Sequence, residues 1–97
     1  MDRASFDEIA GILRGLLIRL EDRLLSKDIT LIAEFIDVGE LGLALEQMAD
    51  VLSEDELPIT ADERADMLGL VARMQMGGRV PRALLSLPYP IARGADR

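Results

Sequence analysis

The sequence predicts an all-α fold, a small bundle of four to five helices, on three observations. Apolar residues recur at three- and four-residue steps along most of the chain. Period-two alternation never lasts long enough for a strand. The composition is rich in Leu, Ala and Glu and has only Phe6, Phe35 and Tyr89 as aromatics, which favours helix over sheet. Ninety-seven residues are read as one domain, because two cores would leave each half below the size that folds unaided. A helical bundle is expected over 1–78, with 79–97 adding a short helix and an extended basic C-terminal tail to the same domain. An apolar fraction of 49% with 30% charged residues is that of a soluble globular protein.

The first helix is expected from 6 to about 25, opened by a capping box at Ser5-Phe6-Asp7-Glu8. Phe6, Ile9, Leu13, Leu16, Leu17, Leu20 and Leu24 form its inner face, and Ile18 falls on the polar side. Gly11 and Gly15 are adjacent on its surface, either for close approach of another helix or as tolerated breaks. Asp28 is the expected cap of a second helix over Ile29 to Val38, with Ile29, Ile32, Ala33 and Ile36 inward and Leu31 and Phe35 to the side. Gly39 is placed to end it through a left-handed residue.

A third helix, about 40–53, has the tightest stripe: Leu41, Ala44, Leu45, Met48, Val51 and Leu52. Gly42 and Ala44 are small enough for close backbone approach. A loop follows to Ile59, because Pro58 disfavours helix at Leu57. Thr60-Ala61-Asp62-Glu63 is a second capping box. The helix it opens should bury Leu68, Val71 and Ala72 with Met67 and Met74, and end at Gly77-Gly78. Pro81 suits the first position of a short helix through Ser86. Leu87-Pro88-Tyr89-Pro90 favours polyproline-like extension, and Ile91 onwards reads as a loose end.

Most chemistry is excluded by residue type. Without cysteine there is neither a disulfide framework nor a thiolate, in keeping with a cytoplasmic protein. Without histidine the commonest general base and metal ligand is missing. No basic-then-apolar leader opens the chain and Arg14 and Arg19 interrupt the first apolar run, so neither signal peptide nor membrane span is expected. Glu54, Asp55 and Glu56 are close in sequence, but acid–base work needs a carboxyl kept protonated by burial, and an acidic loop does not provide that. A calcium loop begun at Asp37 would put Gly42 sixth but Met48 at the twelfth, bidentate position, and fails. No catalytic residue, metal or cofactor is therefore expected. Arg73, Arg79, Arg82, Arg93 and Arg97 could follow phosphates. Their spread over a helix end and a tail in an acidic chain argues against nucleic acid as the partner.

The net charge of −7 is unevenly placed. Residues 1–27 hold five acids and five bases; residues 28–66 hold twelve acids and one base, Arg64, net −11; residues 67–97 hold five arginines and Asp96, net +4. Within the acidic block, Glu34, Asp37, Glu40, Glu46, Asp50, Glu54, Asp55 and Glu56 have no base between them in sequence. A water-facing helix ordinarily mixes signs at i,i+4, whereas Glu46-Asp50-Glu54 repeats one sign at four-residue steps. Such a face would steer a basic protein and mimic phosphates. The expected contacts are Glu40, Glu46, Asp50, Glu54, Asp55 and Glu56, with Leu43 as an apolar anchor among them.

The wording of this segment is also distinctive. Gly39-Glu40, Gly42 and Ala44-Leu45-Glu46 are followed by the acidic turn Asp55-Glu56-Leu57-Pro58-Ile59 and the capped start Thr60-Ala61-Asp62-Glu63. Across Ile32–Met76, about half the chain, this resembles the Maf-type immunity proteins of bacterial polymorphic toxin systems, whose relatives accompany contact-dependent growth inhibition toxins. Leu57 stands where the family pattern has Ile, and the tail after Gly77 lies outside the pattern. The resemblance implies a cytoplasmic antidote that binds and neutralises one cognate toxin domain, commonly a nuclease, without a cofactor. The alternative is a helical protein-interaction or regulatory module, homodimeric through Leu31 and Phe35. The sequence leaves monomer and dimer open.

Overall fold

The computed structural model describes residues 2–85 and 87. The fold is all-α, with five helices among the described residues: α1 (Arg3–Leu20), α2 (Ser26–Asp37), α3 (Leu41–Glu54), α4 (Ala61–Arg73) and α5 (Arg79–Leu85). The extension expected at 88–90 and the loose end after it lie outside the described residues, as does Ser86. The chain divides into two compact units, Met1–Met48 and Ala49–Arg97.

In the first unit α1 packs on α2. Ile9, Leu13, Leu16, Leu17, Leu20, Leu24, Ile32 and Ile36 are buried, with Leu41, Ala44, Leu45 and Met48 from the start of α3. Ile18 is exposed, as its place on the polar side predicts. The cap of α1 is Asp2, not Ser5: the Ser5 amide donates to Asp2 Oδ1 at 2.8 Å. A carboxylate answers both the unpaired amides and the positive helix end, so the helix begins three residues earlier than the hydroxyl cap would place it.

α1 also stops early, at Leu20. Arg23 folds back, its amide donating to Leu20 O at 2.8 Å and its guanidinium to Arg19 O at 2.8 Å. Leu24 is nevertheless buried, in the turn that follows α1. With the chain turned so soon, α2 starts at Ser26, and Asp28 sits inside its first turn rather than capping it. Ile32 and Ile36 are buried, whereas Ile29, Ala33 and Phe35 are half-buried. α2 leaves as expected through Gly39, at φ +82°. The Gly39 amide donates to Ile36 O and the Glu40 amide to Phe35 O, the paired bonds of a Schellman turn. A Cβ on Gly39 would lie 3.2 Å from Phe6 Cζ. At Gly11, Gly15 and Gly42 a Cβ would meet nothing within 4 Å, so none of the three marks a close approach.

In the second unit α4 packs on α5, and Arg64 Nη1 donates to Leu84 O at 2.9 Å. Ala49, Val51, Leu52, Ile59, Met67, Leu70, Val71, Val80 and Leu84 are buried. The second capping box is present in full: the Thr60 amide donates to Glu63 Oε1 at 2.9 Å and the Glu63 amide to Thr60 Oγ1 at 3.0 Å. Because the cap satisfies its carboxylate, Glu63 is tolerated in the core at 3% exposure. The buried stripe of α4 is thus Glu63, Met67, Leu70 and Val71, while Leu68 and Met74 are half-buried and Ala72 is exposed. An inward glutamate carries no apolar signal, so the buried face lies towards 63 and 70 rather than 68 and 72.

α4 ends at Arg73 rather than Gly77-Gly78. Its Schellman turn is closed by Met76 N to Val71 O and Gln75 N to Ala72 O, with Gln75 itself left-handed at φ +54°. α5 begins at Arg79, which puts Pro81 third. Its missing N–H falls among first-turn amides that have no intrahelical acceptor in any case.

Candidate partner-binding face

The candidate contacts are carried by α3 and the turns at its two ends. The helix forms because Leu41, Ala44, Leu45, Met48, Ala49, Val51 and Leu52 are all buried, which commits the remaining positions to the outside. In the first unit, Glu40 is exposed in the cap position of α3, its carbonyl accepting from the Ala44 amide. Its charge suits the positive helix end. Leu43 is 46% exposed and Glu46 half-buried on the following turn, three residues on and so on the same side.

In the second unit, Asp50 is half-buried and Glu54, Asp55 and Glu56 are exposed. Here α3 leaves through a third Schellman turn, Leu57 N to Leu52 O at 2.9 Å and Glu56 N to Ser53 O at 3.2 Å. The left-handed position belongs to Glu56, at φ +51°. α3 has no basic residue in its last turn. Three carboxylates therefore stand at the negative end of a helix dipole, next to one another, and among the described residues none of the three has an ion-pair partner.

The acidic block is less uniform than its sequence. Asp37 accepts from Arg14 Nη2 at 2.8 Å, and Asp50 from Arg79 Nη2 at 2.6 Å. Both bases come from outside the block, 23 and 29 residues away, so no local pattern announces them. Asp37 and Asp50 are thereby answered within the chain. Among the described residues no group of three His, Cys, Asp or Glu side chains is placed to hold a metal ion, and no helix is long and apolar enough to cross a membrane. No family model, curated protein or solved structure matches the chain.

Proposed function

We propose that this chain is a non-catalytic cytoplasmic binding protein of the immunity type, which neutralises a basic toxin domain, a nuclease by preference, through the acidic side and C-terminal turn of α3. The observation that carries the reading is the group Glu54, Asp55 and Glu56. It is exposed, at the wrong pole of its helix for stability, and without a base in the last turn. An arrangement that costs the free protein is relieved when a partner brings arginine or lysine to it. Glu40, Leu43 and Glu46 add contacts from the first unit. Asp50 contributes only if a partner's cation displaces or joins Arg79. The resemblance of residues 32–76 to immunity proteins supports the same reading.

The test is whether a gene for a large secreted protein lies immediately upstream of this chain's gene and, where it does, co-production with the C-terminal domain it encodes. Rescue of growth and a stable complex are expected. Glu54→Lys with Asp55→Lys should weaken that complex on the order of a hundredfold. The melting temperature should be held or slightly raised, since like charges leave the negative helix end. Undiminished protection by the folded double variant would overturn the acidic-face reading.

A further inference from the structure

We infer that the outer face of α2 is a self-complementary docking surface for a second copy of this chain. Ile32 and Ile36 point α2 into the core. At about 100° per residue, Lys27, Leu31, Glu34 and Val38 then fall on one line facing away from them. All four are exposed. Leu31 is 37% exposed and Val38 72%, and Leu25, just ahead of the helix, is 59% exposed. Among the described residues neither Lys27 nor Glu34 has an ion-pair partner. They cannot serve each other, being seven residues, or about 10 Å, apart along the helix.

Along this line the order reads the same in both directions once signs are paired: cationic Lys27, apolar Leu31, anionic Glu34. A two-fold axis crossing α2 at Leu31 sets Leu31 against its own mate. Lys27 lies four residues before that axis and Glu34 three after it. The rotation therefore brings each Lys27 opposite the other copy's Glu34. The mismatch is one residue, about 1.5 Å, well within the reach of a lysine side chain. This is the self-matching patch an isologous dimer requires. A partner of single sign would satisfy one of the two charges and meet the other with its own. Nothing in the inference uses Glu54–Glu56, so it stands or falls apart from the toxin-binding reading.

Sedimentation equilibrium of the full chain over a concentration series tests it. The wild type is expected to show a reversible monomer–dimer equilibrium, and a monomer throughout at low salt overturns the inference regardless of any variant. Glu34→Lys sets lysine against lysine and should weaken the dimer about tenfold, with helicity unchanged by circular dichroism. Adding Lys27→Glu to it restores opposite signs and should recover the wild-type constant. An equimolar mixture of the two single variants should associate more tightly than either alone. A dimer indifferent to Glu34→Lys, or a charge-swapped chain no tighter than that single variant, also overturns it.

Discussion

α2 and α3 leave their helices through the same pair of backbone hydrogen bonds but with opposite residue choices. At the end of α2 the left-handed position is Gly39, which has no Cβ to clash and sits against Phe6. At the end of α3 the same position is Glu56, whose Cβ makes the left-handed conformation cost roughly 1–2 kcal/mol. Its charge also stands at the negative end of the helix dipole. α4 separates these two penalties. Gln75 accepts the left-handed conformation too, but it is neutral, and Arg73 precedes it in the last turn. A left-handed non-glycine is therefore ordinary in this chain. What sets Glu56 apart is acid at the negative pole, repeated at Glu54 and Asp55, and stability of the free chain does not account for it.

Substitutions at the three turns break or sharpen that comparison. The largest effect should come from Gly39→Ala, which meets both a positive φ and Phe6 Cζ at 3.2 Å. A loss of about 1–2 kcal/mol is expected as a lower urea midpoint with an unchanged slope. Glu56→Gly should act in the other direction, raising stability by about 1 kcal/mol or less, since glycine relieves the strain but loses more freedom on folding. Gln75→Gly serves as the neutral control and should gain less than Glu56→Gly, the difference being the charge at the helix end. Equal gains at the two sites would mean that the acid costs nothing there, and the electrostatic argument for a basic partner would lose its footing.

Legibility from sequence followed the range of the interaction. The α3 stripe from Leu41 to Leu52, the Gly39 exit and the Thr60–Glu63 box could be read because each depends on residues within one or two turns. The end of α1 could not: Leu20 and Leu24 keep helical spacing across a chain reversal held by Arg23. The stripe of α4 includes an inward Glu63 that no apolar pattern marks, and its left-handed exit is at Gln75 rather than at a glycine. For the candidate face, the exposure of Glu40, Leu43 and Glu54–Glu56 followed from the buried stripe opposite them. The partners of Asp37 and Asp50 did not, since Arg14 and Arg79 reach them only through the folded chain.

The smallest expected effect concerns an acid at the opposite pole. Asp2 caps α1, where the helix end is positive, and the hydrogen bonds from the Ser5 backbone amide and then the Ser5 hydroxyl hold its carboxyl below its usual value of 3.8. A lowered folded pKa means that the ionised cap favours the folded helix start above the unfolded pKa. That contribution is lost as pH falls through the lower folded value. Asp2 is fully exposed, so the loss should be local fraying rather than unfolding. The Ser5 amide should show it as a fall in hydrogen-exchange protection, corrected for the intrinsic rate, on acidification below the ordinary carboxylate range. Asp2→Asn keeps an acceptor for that amide but cannot titrate, and its Ser5 protection should be flat over the same range. An equal fall in the Asn variant would assign the fraying to other groups and leave Asp2 a geometric cap only. A flat Asn profile beside a falling wild-type one would show an acid that stabilises its own helix, the role that position denies to Glu54, Asp55 and Glu56.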